Sequence, residues 1–311
     1  MGMEYEDRYR LQVQVQVQHP KYECLVFDLD DTLYPLSCGL APAVLKNIQD
    51  YMVEKLGVEE STIPDLCNLL YKNYGTTMAG LRAIGYDFDH DEYHSFVHGR
   101  LPYDNLKPDP ILRSLLQSLP IRKVIFTNAD KAHAIKALSR LGLEGCFEGI
   151  ICFETLNPPP ATATATAINR KPAQIFDIIG HFSQPKAGPC GLPKTPIVCK
   201  PSISAIETAL RIANIDPERT VIHILSQLFF EDSVRNIQSG KHIGLDTVLV
   251  GKSQRVKGAD YALESIHNLR EAIPELWEAE TQQQQQQQQQ LGEVNINYSG
   301  GIIVVETSVT A

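Results

Sequence analysis

Hydrophobic and polar positions follow two alternating periods along most of the chain. Short apolar runs that are typical of buried strands stand at residues 23–30, 122–130, 149–154, 220–230 and 246–251. Segments with apolar residues three or four positions apart, which predict amphipathic helices, separate these runs. This alternation indicates an α/β fold, a doubly wound parallel sheet with helices on both faces, whose ligands bind at the carboxyl ends of the strands.

The pattern also divides the chain into regions. Residues 34–105 carry mostly helical patterns, separated by Gly and Pro, and we predict that they form a helical cap inserted into a discontinuous core of residues 21–33 and 106–278. We expect residues 1–20 to be a flexible extension and residues 279–311, which include a run of glutamines, to be a disordered tail.

Polar side chains cluster where the predicted strands end. These residues are Asp28, Asp30, Thr127, Asn128, Glu231 and Asp232, with Lys200 just before the predicted helix at 202–214. Clustered carboxylates repel one another and are costly to desolvate, so a divalent cation is the simplest way to stabilise them. A hydroxyl, backbone N–H groups and an ammonium suit phosphoryl oxygens. The set indicates metal-assisted phosphoryl transfer, although Asp and Thr after a strand also serve in turns and helix caps.

These residues lie in the segments FDLDDT, FTNAD, CKP and FFEDS, which resemble the signatures of the haloacid dehalogenase (HAD) superfamily of phosphohydrolases. More narrowly, DLDDTLYP, HGRLPYDNLKPD, CFETLNP, LPKTPIVCKPS and EDSVRNIQ are similar to the plant and fungal pyrimidine 5′-nucleotidases. The resemblance covers residues 21–277. It implies a HAD-like Rossmannoid sheet with an inserted α-helical cap that closes over the site and contacts the leaving group.

The resemblance implies roles for the clustered residues. Asp28 matches the nucleophile that forms an aspartyl phosphate, and Asp30 matches the general acid and base. Dehalogenation expels a halide that needs no proton, so Asp30 favours a phosphatase. The phosphoryl oxygens would be bound by Thr127, Asn128 and Lys200. Mg²⁺ would be held by Asp28, the Asp30 carbonyl, and Glu231 or Asp232.

Two features depart from the family pattern. Glu231 stands where the family has Asp, and its additional methylene moves the carboxylate. Residues 221–227, VIHILSQ, intervene before LFF, and the whole run is too long for one strand of a small sheet. We predict that LFF keeps the strand position while VIHILSQ bulges outward, so that deleting residues 221–227 leaves or raises activity.

For several further residues the sequence allows both a functional and a purely structural interpretation. Lys171 shares the Lys-Pro dipeptide of Lys200 but follows a linker, so we expect it to be a solvated charge. The segment between the two lysines is predicted to be a surface excursion. His90, His94 and His98 share one helix face, which indicates a partly exposed cap face or a metal stripe. Substrate contact and ordinary packing remain alternatives for Tyr34, Arg100 and Tyr103.

Composition narrows the function. The chain has 28 Lys and Arg against 37 Asp and Glu, a net charge of −9, which argues against binding a nucleic-acid polymer. No apolar run is long enough to cross a membrane. The 7 cysteines contain no CxxC pair, which fits core packing in a reduced compartment; we expect the cytoplasm, with the nucleus left open.

We therefore expect hydrolysis of a small phosphorylated metabolite, a pyrimidine nucleoside 5′-monophosphate. The alternatives are a phosphatase of sugar phosphates or other small metabolites, and a catalytically impaired relative that acts as a binding protein.

Overall fold

The structure is a computed structural model that describes residues 21–159, 175–184, 188–214 and 226–277. The described residues up to 276 belong to one compact unit. Both predicted tails, Lys171 and residues 221–225 lie outside the described residues.

A parallel sheet of six strands forms the centre, in the order β3-β2-β1-β4-β5-β6. The strands are β1 Tyr22–Phe27, β2 Arg122–Phe126, β3 Gly149–Ile151, β4 Ser226–Glu231, β5 Asp246–Val250 and β6 Tyr261–Leu263. The order reverses beside β1, so a cleft is expected at the carboxyl ends of β1 and its neighbours. The predicted parallel α/β sheet is confirmed; the short edge strand β6 was not predicted.

Helices lie between the strands, as the 3.6-residue periodicity predicts. They are α1 Leu40–Glu54, α2 Ile63–Tyr74, α3 Thr77–Ile84, α4 His90–Gly99, α5 Pro110–Gln117, α6 Lys131–Leu141, α7 Phe153–Leu156, α8 Ile178–Phe182, α9 Ile203–Ile212, α10 Val234–His242 and α11 Leu269–Ala272. Short 3₁₀ helices occur at Leu36–Cys38, Glu60–Thr62, Tyr103–Asn105, Ile266–Asn268 and Pro274–Trp277. The very short helices α7, α8 and α11 give no readable periodicity and were not predicted.

Strand β4 shows which residues of the long apolar run before Glu231 belong to the sheet. LFF lies in this strand between β1 and β5, and the ring of Phe230 stacks on that of Phe27 with centroids 4.3 Å apart. The prediction that LFF keeps the strand position is confirmed. The boundary of the predicted insert is wrong, because Ser226 and Gln227 belong to β4 and Gln227 pairs with Cys24. A deletion through Gln227 would cut into the strand.

The helices of residues 40–99 do not complete their hydrophobic core alone. Their cluster includes Ile178, Ile197 and Cys199, which follow much later in the chain. Hydrogen bonds join the same parts: the Phe176 amide donates to the Ile84 carbonyl at 2.8 Å, and the Thr195 hydroxyl to the Ala79 carbonyl at 2.7 Å. The described part of the predicted surface excursion is therefore packed against the helical region, because its apolar side chains have a face to cover there.

The helical region meets the sheet edge at Gly75, the residue that follows α2. Its φ of +91° is one that L side chains rarely adopt, and a Cβ there would lie 2.3 Å from the Lys200 carbonyl oxygen. Only glycine allows the end of α2 to come this close to Lys200.

Candidate active site

Lys200 lies at the centre of the polar cluster. Its Nζ donates hydrogen bonds to Asp28 Oδ1 at 2.6 Å, to Glu231 Oε1 at 2.6 Å and to the Phe126 carbonyl at 2.8 Å. The side chain is only 1% exposed. Burial lowers the pKa of Lys200, but attraction by Asp28 and Glu231 outweighs burial, so the pKa lies above its usual range. The ammonium is thus fixed between the ends of β1 and β4.

Glu231 accepts three hydrogen bonds from donors of the protein. Besides Lys200, Asn236 Nδ2 donates to Oε1 at 2.7 Å and the Ser233 amide donates to Oε2 at 3.0 Å. Its carboxylate lies within 4.8 Å of those of Asp28 and Asp232. Because Glu231 is fully enclosed and accepts three hydrogen bonds, whereas Asp232 is partly exposed, we describe Glu231 as the partner of Lys200 and Asp232 as the more accessible acid of the pair.

The carboxylates outnumber the cations at this edge. Burial, followed by repulsion from Glu231, raises the pKa of Asp28 to about 7 despite the attraction of Lys200. Burial, followed by repulsion from Asp28, raises the pKa of Asp232 to about 7, and burial raises that of Asp31 to about 6. Clustered oxygen donors with this excess of negative charge fit a hard divalent cation such as Mg²⁺.

Asp30 faces a different set of groups. His133 Nε2 lies 2.7 Å from Asp30 Oδ1, and the Tyr34 hydroxyl donates to the same oxygen. Burial raises the pKa of Asp30, but the attraction and hydrogen bond of His133 outweigh burial and hold the pKa well below its usual range. Asp30 Oδ1 is thus engaged by His133 and Tyr34, and the Asp30 carboxylate is not among the acids grouped with Asp28. The metal ligand that the resemblance implies at this position is the Asp30 backbone carbonyl.

His133 is itself held by its neighbours. The Tyr103 hydroxyl lies 2.8 Å from His133 Nδ1, and the His133 amide donates to Asp130 Oδ2 at 3.2 Å. Asp130 also binds His98 Nδ1. Burial lowers the pKa of His133, but attraction by Asp30 outweighs burial and raises it. The raised pKa favours the charged ring, which donates from Nε2 to Asp30 and from Nδ1 to the Tyr103 hydroxyl oxygen.

The sequence analysis did not identify His133 or Asp130. Asp130 caps α6, and His133 lies three residues later in its first turn. An Asp-x-x-His directly after the polar end of a strand was the available signal. Tyr34 and Tyr103, considered as substrate contacts, instead hydrogen-bond Asp30 and His133.

Thr127 and Asn128 lie at the end of β2 as predicted, but their side chains differ in availability. The Thr127 oxygen accepts from the Ala129 amide at 3.0 Å, which leaves its proton free to donate. The Asn128 amide binds the Lys200 backbone twice, accepting from its N–H at 2.9 Å and donating to its carbonyl at 3.1 Å. The Asn128 side chain thus braces Lys200, and the phosphate-binding role of Asn128, which lines the cavity, stays a prediction.

A cavity of about 650 Å³ separates the polar cluster from the helical region. Its sheet side carries the carboxylates, Thr127 and Lys200. On the helical side, the described lining residues of α1 to α4 include no Asp, Glu, Lys or Arg; examples are Val44, Asn68 and Met78. One half of the cavity is thus highly charged, and the other is mostly apolar with a few hydrogen-bonding groups.

The histidines of α4 occupy three environments. His94 is buried and lines the cavity, His98 lines it while bound to Asp130, and His90 packs against Phe153 with ring centroids 5.3 Å apart. A partly exposed cap face is thus wrong for His94. Among the described residues the grouping suited to a metal is the acid cluster, not the histidine stripe.

Arg100, the remaining candidate contact, is exposed. Its guanidinium lies over the Phe96 ring, 3.6 Å from the centroid, away from the described cavity wall. Packing is therefore the reading that fits Arg100.

Comparison with known proteins finds a curated relative that matches part of the chain. No family model matches the chain. Phosphate metabolism protein 8 of Saccharomyces cerevisiae is 32% identical over 139 residues, a match that covers 42% of this chain and 43% of the yeast protein. The chain therefore matches less than half the length of this relative. Among the described helices, none has the length and apolarity that crossing a membrane requires.

Solved structures give weaker likenesses. CbbY of Rhodobacter sphaeroides, solved with phosphate, has 17% identity and a TM-score of 0.46, covering 80% of this chain and 96% of that chain. A HAD hydrolase of Bacillus subtilis, bound to magnesium, has 17% identity and a TM-score of 0.42, covering 81% and 98%. Scores below 0.5 do not assign the fold by themselves; the fold described above follows from the strands and helices of this chain.

Proposed function

We propose that this protein is a Mg²⁺-dependent phosphomonoester hydrolase of the HAD superfamily, acting on pyrimidine nucleoside 5′-monophosphates through an aspartyl phosphate. The observation that carries the proposal is the arrangement around Asp28: Lys200 hydrogen-bonded to it, the carboxylate of Asp232 nearby, and Asp30, held by His133, in the wall of the same cavity. The partial likeness to the yeast phosphate metabolism protein is consistent with it.

In the first step, a carboxylate oxygen of Asp28 attacks phosphorus and the ester bond to the leaving oxygen breaks. The charged ring of His133 gives its Nε2 proton to Asp30, which passes it to that oxygen; the Asp30 carboxylate then takes a proton from the water that hydrolyses the intermediate and returns it to His133. Lys200 and the Thr127 hydroxyl stabilise the negative charge of the phosphoryl oxygens.

The cation would be held by Asp28, Asp232 and the Asp30 carbonyl. When bound, Mg²⁺ neutralises part of the carboxylate and phosphoryl charge and orients the phosphoryl group. Glu231 keeps Lys200 in place from the opposite side.

The uncharged half of the cavity supports a nucleoside as the leaving group. A sugar alcohol would bring many hydroxyl groups to a wall that is mostly apolar, and their desolvation would be poorly compensated. A base and ribose combine apolar faces with a few polar edges, which the Val44, Met78 and Asn68 side of the cavity suits better.

The test is phosphate release from UMP, CMP, AMP and a set of sugar phosphates, with Mg²⁺ and with EDTA, for the wild type and Asp28→Asn. We expect pyrimidine monophosphates to be the best substrates and Asp28→Asn to lower kcat by about 10³-fold or more. Hydrolysis that persists in Asp28→Asn would contradict the mechanism. A higher kcat/KM for sugar phosphates would contradict the substrate class, and no release from any substrate by folded protein would favour the binding-protein alternative.

A further inference from the structure

Three histidine rings form a row that leads from Asp30 into the uncharged half of the cavity. His133 contacts Asp30, the His98 ring lies 4.6 Å from the His133 ring, and the His94 ring lies 5.7 Å from the His98 ring at an interplanar angle of 11°. His98 and His94 both line the cavity. The row therefore follows the cavity wall from the reacting end towards the helical region.

The first two rings have protein partners, and the third does not. Asp30 and Tyr103 bind His133, and Asp130 binds His98. His94 is 6% exposed, and its Nδ1 is enclosed without a hydrogen-bond partner. Among the described residues, the Phe153 ring packs edge-on against it at 4.5 Å, an apolar contact that satisfies neither nitrogen. A core histidine with a purely structural role would ordinarily have its polar atoms paired.

The protonation of His94 follows from these surroundings. Burial, followed by repulsion from His98, lowers the pKa of His94 to about 4, so the ring is neutral near pH 7. An enclosed, unpaired N–H is rarer in proteins than an enclosed, unpaired acceptor, so the proton belongs on Nε2 rather than on the enclosed Nδ1. Since the ring lines the cavity, His94 offers this N–H as a hydrogen-bond donor to a ligand.

The chemistry at Asp30 fixes where the leaving group must lie. Its ester oxygen has to reach Asp30, and its remaining atoms extend into the cavity alongside His98 and His94. We infer that His94 is a specificity-determining residue, which donates a hydrogen bond to an oxygen acceptor on the nucleoside leaving group. This inference rests on the proposed function and adds the residue that recognises the substrate.

The test compares two substrates in three variants. UMP carries acceptors on its nucleoside, whereas phenyl phosphate carries none beyond its phosphate. His94→Leu removes the donor, His94→Gln retains an N–H near the position of Nε2, and His90→Leu is a matched control on the same helix outside the described cavity wall.

We expect His94→Leu to lower kcat/KM for UMP about tenfold or more, as expected for the loss of one hydrogen bond, and to change kcat/KM for phenyl phosphate by less than about threefold. His94→Gln should recover most of the loss, and His90→Leu should change neither substrate. Equal losses on both substrates, or a His94→Leu variant as active on UMP as the wild type, would overturn the inference.

A binding measurement separates this inference from the proposed function. Uridine, which has no phosphate, is titrated calorimetrically into the wild type, His94→Leu and His94→Gln. We expect uridine to bind the wild type and His94→Gln, and to bind His94→Leu about tenfold more weakly. Binding that is absent from the wild type, or equal in His94→Leu, overturns the role of His94. Failure of hydrolysis alongside His94-dependent uridine binding overturns only the proposed reaction.

Discussion

The two halves of the cavity differ in their charge and in the hydrogen-bond partners of their polar groups. At the sheet edge, Lys200 binds three acceptors and Glu231 accepts from three donors, although Asp31 Oδ1 is enclosed without a hydrogen-bond partner. On the helical side, α1 to α4 contribute no Asp, Glu, Lys or Arg to the described wall, and His94 Nδ1 has no hydrogen-bond partner. A preorganised charged edge suits a reaction that all substrates share, whereas unsatisfied groups on an apolar wall suit recognition of one leaving group.

The largest effect should come from removing the cation of the charged edge. Lys200→Met leaves Asp28 and Glu231 buried and facing each other, so we expect the free energy of unfolding to fall by about 3–5 kcal/mol, with loss of phosphate release. Urea denaturation in EDTA measures the first effect and phosphate release with Mg²⁺ the second.

Two further variants sharpen this prediction. Lys200→Met combined with Glu231→Gln should recover part of the stability but none of the activity, because one buried charge is removed with its partner. Lys241→Met breaks the exposed pair with Asp260 and should cost less than about 1 kcal/mol. A single Lys200 variant as stable as Lys241→Met would contradict the view of the edge as a tightly coupled charge cluster.

The next effect is a loss of stability at low pH, which originates from His94 in the uncharged half of the cavity. The pKa of His94 is about 4 in the folded protein, against the ordinary value of 6.5 that applies to the unfolded chain. As the pH falls, the unfolded chain therefore protonates at His94 before the folded protein does. The neutral His94 ring makes its full contribution to the free energy of unfolding above pH 6.5. This free energy falls by at most about 3 kcal/mol as the pH falls towards 4. Urea denaturation at pH 7 and pH 4.5 should show a smaller acid loss in His94→Gln than in the wild type. Equal losses would mean that His94 is solvated.

The smallest effect lies at the boundary between the halves. His133→Leu removes the group that holds Asp30, so we expect kcat/KM for UMP, which reports on formation of the aspartyl phosphate, to fall about 10- to 100-fold. The kcat/KM for p-nitrophenyl phosphate, whose leaving group needs little protonation, should change by less than about threefold. His133→Gln, which can still donate to Asp30, should be intermediate. A uniform loss on both substrates would indicate that His133 acts on folding or phosphate binding instead.

The sequence predicted those structural features that a local residue pattern determines. Strand β1 is a short apolar run followed by Asp28 and Asp30, and parallel strands bring their carboxyl ends to one edge, so the clustering with Thr127, Lys200 and Glu231 was predictable. The longer helices were predictable because their apolar spacing matches the helical repeat.

Partner choice within the cluster was not predictable from the sequence. Whether Glu231 binds a metal or Lys200 depends on side-chain directions at the ends of two strands, which no residue pattern encodes. The same holds for His133, whose first helical turn faces Asp30 only because α6 begins beside β1. Segment 175–184 was misjudged because its short apolar stretch shows no period, although burial against the helical region gives it a fixed position.

The shared core of residues 40–99 and 176–199 has a consequence for protein engineering. An exchange of residues 34–105 alone for the helices of another protein would leave Ile178, Ile197 and Cys199 without their apolar neighbours. Since this second segment runs directly into Lys200, the misfit would reach the buried Lys200 ammonium as well. A transplant of substrate preference therefore has to move both segments together and keep glycine at position 75, where the grafted helices pass the Lys200 carbonyl.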